Sequence, residues 1–175
     1  LQGSLNYSTD VVFGSSSFYF DGSTKLQFDD NSGFMESTFK ECTVQMWNKP
    51  YDITDHKMLI YEGCSQDGIT MLLLNNQLQV AVSRGYGITQ GAPITFPNDG
   101  QWHHIGFVFD VGFVTIFLDG VMGGTVDVGY TEVLVGGYGA WNQSGLGGKF
   151  STNSFGSVGD SFYEGLMENY SSHRD

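Results

Sequence analysis

Apolar and polar residues alternate in short runs along this chain, and Asn, Asp and Gly punctuate them. Residues 25–28 show the clearest case: Leu26 and Phe28 alternate with Lys25 and Gln27, the period of two expected of a strand with one wet face. Runs rich in β-branched and aromatic residues follow at 69–74, 77–83, 102–110 and 113–118, each short enough for a strand. Asn75-Asn76 separates the first two of these, and Asn tolerates the positive φ of a tight hairpin. Asp110-Val111-Gly112 separates the next two, and Asp119-Gly120 closes them before 121–125 resumes.

Further strands are predicted at 11–13, 17–20, 43–50, 56–63, 133–137 and 162–168, so the chain reads as about twelve strands. Pro93 and Pro97 limit pairing in the connection at 91–97. No stretch repeats apolar residues at three-to-four spacing long enough for an amphipathic helix. With 175 residues and 25 glycines, the pattern predicts one all-β domain over residues 1–175, a two-sheet antiparallel sandwich.

Two cysteines sharpen this picture. If 43–50 and 56–63 form a hairpin in which Pro50 faces His56, Cys42 falls opposite Cys64. Cross-strand cysteines can bridge at a rung where Cα atoms lie roughly 4.5 Å apart. A Cys42–Cys64 disulfide implies an oxidising compartment; the alternative is two separate buried thiols. Asn-x-Ser sequons at Asn6, Asn142 and Asn169 point the same way, toward a secreted glycoprotein.

Nineteen acids against seven Lys and Arg give a formal charge of −12, which argues against nucleic acid or an anionic membrane surface as partner. The acids are scattered, as on a solvated surface, with cation binding as the sharper reading. No run approaches the ~20 apolar residues of a membrane span. The start, Leu1-Gln2-Gly3-Ser4, has no basic and apolar leader, so the chain reads as a processed mature form or an excised piece.

One long segment, 138–161, is dominated by Gly, Ser and Asn with Tyr138, Trp141, Phe150 and Phe155 embedded in it. Loops beyond about fifteen residues in compact domains are usually functional or disordered. The aromatics either pin it to the domain or face a ligand.

Phe20-Asp21-Gly22-Ser23, the strand at 43–50, the hairpin at 67–82, Trp102-His103-His104, Leu118-Asp119-Gly120, Val135-Gly136-Gly137 and Gly165-Leu166-Met167-Glu168 follow one another as in a laminin G-like domain. The chain resembles that branch of the concanavalin A-like lectin/glucanase jelly-roll superfamily over nearly its whole length. The resemblance implies a two-sheet jelly roll that binds glycans, proteins or both on a loop rim or concave face, often with calcium. Similar domains carry an Asp-Glu pair in the closing strand, where this chain has Glu168-Asn169. A calcium site would be sought at Asp21 and Glu168, completed by carbonyls and water.

Enzymatic chemistry finds little support. Glycan hydrolysis needs two carboxylates about 5 to 10 Å apart, and the E-x-D-x-x-E strand of hydrolytic relatives is absent from the sequence. Asp160, Glu164 and Glu168 are spaced by four but form no such motif. His103 and His104 are adjacent, so they point to opposite faces of a strand and cannot share one metal.

The reading is an extracellular, non-catalytic binding module for glycans. Tyr86, Tyr138 or Trp141 would stack on sugar faces while Asn142 bonds hydroxyls, with calcium as accessory ion. The alternative is a structural or adhesive extracellular module that assembles with other protein chains or with copies of itself.

Overall fold

The computed structural model describes residues 6–27, 38–54, 57–63, 67–84, 87–133, 145–148 and 163–174. The strands among them are β1 (Asn6–Ser8), β2 (Ser17–Asp21), β3 (Leu26–Gln27), β4 (Glu41–Pro50), β5 (Lys57–Gly63), β6 (Gly68–Leu74) and β7 (Gln77–Arg84). They continue with β8 (Gly87–Gln90), β9 (Ile94–Thr95), β10 (His103–Asp110), β11 (Phe113–Leu118), β12 (Val121–Asp127), β13 (Gly145–Leu146) and β14 (Glu164–Arg174). One sheet runs β1-β2-β14-β4-β10-β11-β12 and the other β3-β13-β5-β6-β7-β8, with β9 also on β7. All described pairings are antiparallel. The architecture is the expected all-β jelly-roll sandwich.

Alternation places the core. On β4, Cys42, Val44, Met46, Asn48 and Pro50 are buried while Glu41, Thr43 and Gln45 are exposed. Ile105, Phe107 and Phe109 of β10 stand opposite Leu118, Ile116 and Val114 of β11, and all six join the same core as Met71 and Val80 of the second sheet. Burying each such side chain contributes roughly 1.5–3 kcal/mol before the entropy of ordering it. The second sheet is apolar more evenly: every residue of β6 from Gly68 to Leu73 is buried, so alternation fades there.

Turn chemistry was legible. Asn75 and Asn76 adopt φ of 50° and 62°, the positive values a two-residue hairpin requires. Asp119 and Gly120 do the same at 50° and 78°. The turn after β10 is one residue shorter than the Asp110-Val111-Gly112 connection suggested, because Asp110 pairs with Phe113. Val111 at φ 40° and Gly112 at 97° make the turn, so a β-branched residue sits where it is strained.

Other expectations need correction. Residues 43–50 and 56–63 are strands, but not a hairpin. β4 pairs with β10 and β14 in the first sheet, and β5 with β6 and β13 in the second. The intervening segment crosses between sheets: Ile53 is 1% exposed, and its carbonyl accepts the Asn76 N–H at 3.0 Å. The register that placed Cys42 opposite Cys64 therefore fails. Cys42 is buried and stands across from Phe109 and Arg174; Cys64 lies outside the described residues. Residues 11–13 form no strand, and the last strand extends to Arg174. β8 and β9 add short pairings near the two prolines.

Candidate functional site

Three neighbouring strands of the first sheet present a row on their outer face. The core-facing residues of β4 are the even ones, so Trp47 points outward, directly opposite Glu168 of β14 and His104 of β10. The Trp47 and His104 rings pack in a tilted arrangement with centres 5.3 Å apart. Over this row lies the connection between β1 and β2, residues 9–16, which acts as a strap.

Charged side chains fasten the strap. The Glu168 carboxylate accepts the Val12 N–H through Oε2 at 2.8 Å and the Phe13 N–H through Oε1 at 2.9 Å. Two successive backbone N–H groups form a small anion-receiving concavity, and the chain fills it with its own carboxylate. At the other end, Lys49 Nζ donates to Asp10 Oδ2 at 2.6 Å, and Trp102 Nε1 donates to Asp10 Oδ1 at 2.9 Å. The Lys49 bond, then the Trp102 bond, hold the Asp10 carboxyl below its ordinary range. Ser17 Oγ donates to the Asp10 carbonyl at 2.7 Å, and the Phe13 ring meets Trp47 edge-on at 5.7 Å.

Strap and sheet enclose an open cleft of about 250 Å3. Its walls are Tyr7, Phe13 and Phe18 on the apolar side and Ser16, Glu168 and Asn169 on the polar side. Tyr7 is 64% exposed and Phe13 54%, the two most exposed aromatic side chains among the described residues. Tyr7 is held by its rung opposite Phe18, with ring centres 5.8 Å apart. Asn169 stands out on the rim because β14 bulges between Glu168 and Ser171, with Asn169 at φ 52°. The volume falls just below the ~300–1,000 Å3 of drug-sized pockets, room for a small ring system.

The sequence-predicted residues distribute unevenly around this cleft. Tyr86, Tyr138, Trp141 and Asn142 lie outside the described residues. Asn6 and Asn169 are exposed, on β1 and on the bulge. Asp21 and Glu168 are not brought together as a calcium pair: β2 and β14 align Asp21 with Glu164, leaving Glu168 four residues further along, about 13 Å at strand rise. Asp21 Oδ1 instead accepts the backbone N–H and hydroxyl of both Ser23 and Thr24 at 2.8–2.9 Å. Those bonds, led by the Ser23 N–H, lower its pKa to about 2. Among the described residues no three His, Cys, Asp or Glu side chains gather as metal ligands.

The histidines behave as adjacent strand residues must. His104 faces out onto Trp47, while His103 is buried between two carboxylates, Nδ1 2.7 Å from Asp119 and Nε2 3.1 Å from Asp99. Burial opposes its charge, but the bonds to Asp119 and then Asp99 outweigh this and raise its pKa. Phe96 packs edge-on against its ring at 5.1 Å. Sequence reasoning missed Tyr7, Phe13 and Ser16 as site residues; the one local signal was the apolar run at 11–13 against Gly14-Ser15-Ser16, which reads as a strand but is part of the strap.

A laminin G-type family model, described as the concanavalin A-like lectin/glucanases superfamily, matches residues 20–170. Among curated proteins no sequence matches. Domain 4 of an extracellular arabinanase from Geobacillus stearothermophilus, solved with arabinotriose, superposes with a TM-score of 0.73 at 18% identity, covering 98% of this chain and 76% of that one. The CBM40 of Ruminococcus gnavus IT-sialidase gives 0.73 at 11% identity over 91% and 90%. Domains LG4-5 of the mouse laminin alpha1 chain give 0.66 at 14% identity, and this chain covers 40% of that chain's length against 89% of its own. The fold shared with these structures and the family match over most of the sequence place the chain in the concanavalin A-like lectin/glucanases superfamily, as a laminin G-like member.

Proposed function

We propose that this chain is a non-catalytic, extracellular carbohydrate-binding module whose binding surface is the cleft beneath the strap. The observation that carries this reading is the pair of exposed aromatics, Tyr7 and Phe13, lining one small cleft together with the polar residues Ser16 and Asn169. Aromatic faces suit the C–H faces of sugars, and hydroxyl and amide groups suit their hydroxyls. Two fold neighbours add support: the arabinanase domain was solved with arabinotriose, and the sialidase CBM40 was also solved with α2,3-sialyllactose. Glu168 does not suit acid–base chemistry, since both its oxygens accept backbone N–H groups.

Affinity electrophoresis through gels containing soluble polysaccharides tests the reading. Retardation by at least one polysaccharide is expected, reduced in Tyr7→Ala and unchanged by EDTA. Absence of retardation across a broad panel would overturn it.

A second reading, assembly with other chains, has one observation in its favour. β12 ends the first sheet among the described strands and leaves Val121 and Met122 more than 60% exposed, an open edge that another strand could extend. Sedimentation at rising concentration, with Met122→Lys as control, tests it; a monomer throughout removes the self-assembly version.

A further inference from the structure

Resting on the carbohydrate reading, the geometry points to neutral saccharides as the ligand class of the strap cleft, with carboxylated sugars rejected. A carboxylated sugar needs a cation or a set of unused N–H donors to receive its charge. None of the described residues lining the cleft is basic. The anion-receiving feature of the strap, the successive N–H groups of Val12 and Phe13, is already filled by Glu168 at 2.8 and 2.9 Å. The basic residue that reaches the strap, Lys49, is held by Asp10 at 2.6 Å.

An entering carboxylate would therefore meet the Glu168 carboxylate without a counter-charge between them. Like charges set against each other across a contact are among the strongest rejecting elements available to a binding site. The net charge of −12 adds a field of the same sign, screened beyond about 8 Å in physiological salt. A neutral sugar meets no such penalty. Its hydroxyls can donate to the lone pairs Glu168 has left and bond with Ser16 and Asn169, while its ring faces Tyr7 or Phe13. Glu168 thus does two things at once: it fastens the strap, and it supplies the charge that decides which sugars enter.

The test is an array of neutral, sialylated and uronate-containing glycans, probed with the wild-type chain, Tyr7→Ala and Asn169→Gly. Tyr7 is largely exposed, and glycine accepts the positive φ of position 169, so both variants should fold; circular dichroism checks this. Hits confined to neutral glycans are expected, with signal falling about tenfold or more in Tyr7→Ala, the effect of losing one well-placed aromatic contact. Sialylated or uronate hits that vanish in Tyr7→Ala would overturn the charge selection and leave the carbohydrate reading intact. Neutral hits unchanged in both folded variants would overturn the assignment to this cleft. An array without hits would overturn the carbohydrate reading itself, and this inference with it.

Discussion

The two ends of the first sheet are held by different means. At the β1-β2-β14 end, the strap depends on side chains far away in sequence: Glu168 reaches Val12 across 156 residues, and Trp102 reaches Asp10 across 92. At the β10-β11-β12 end, two-residue turns and the His103 clasp act locally, with Asp99 and Asp119 only 4 and 16 residues away. The strap is fastened only once β4, β14 and the Trp102 segment are in place, and it borders the cleft beneath it. Long-range fastening is suited to a site because it lets a loop be shaped by the surface beneath it rather than by its own sequence.

The sharpest way to break this contrast is Glu168→Ala. It leaves the Val12 and Phe13 N–H groups without their carboxylate and should cost about 2–3 kcal/mol, read by urea unfolding, with ligand binding lost alongside. A cost near zero would mean the strap stays in place without Glu168.

His103→Gln probes the local end and should cost about 1–2 kcal/mol at pH 5.5. The sign with pH follows from the raised pKa of His103. Its stabilisation is fully present below the unfolded value near 6.5 and is lost as pH rises through the folded value. The gap between wild type and variant should therefore narrow toward pH 8.5. A gap that widens would contradict the clasp.

Val111→Asn relieves a β-branched residue at φ 40° and should stabilise the β10-β11 turn by about 1 kcal/mol, seen as a higher melting temperature. The smallest effect belongs to Asp10→Asn. Its ion pair with Lys49 is about half exposed on the Asp10 side, so about 0.5 kcal/mol is expected, shrinking in high salt. A larger, salt-insensitive loss would assign the strap's anchorage to the Trp102 bond instead.

The same contrast explains what the sequence reveals. Asn75-Asn76 and Asp119-Gly120 announce hairpins because the φ they must adopt is a property of the residues themselves. Alternation on β4 marks which side chains face inward, yet the pattern is the same whichever strand lies beside it, so it does not distinguish the expected β4–β5 hairpin from the crossover that Ile53 anchors. Trp102-His103-His104 identifies the scaffold without naming a site. Tyr7, Phe13 and Asn169 become a cleft only after β14 has slid between β2 and β4, and nothing near them in sequence records that arrangement. The Glu168 carboxylate holds the Val12 and Phe13 amides, a role that the resemblance, which directs attention to calcium at Asp21 and Glu168, does not announce.

β14 also sets the order of events during synthesis. It fills the gap between β2 and β4, yet it leaves the ribosome after every other described strand, on the order of ten seconds after β4 at typical translation rates. Until then one edge of β4 has no neighbour, and an unpaired strand of alternating apolar residues invites pairing with other chains. Glu41, Gln45 and Lys49 punctuate that strand with polar and charged groups. They are gatekeepers of the nascent chain, useful before the molecule has a fold to stabilise.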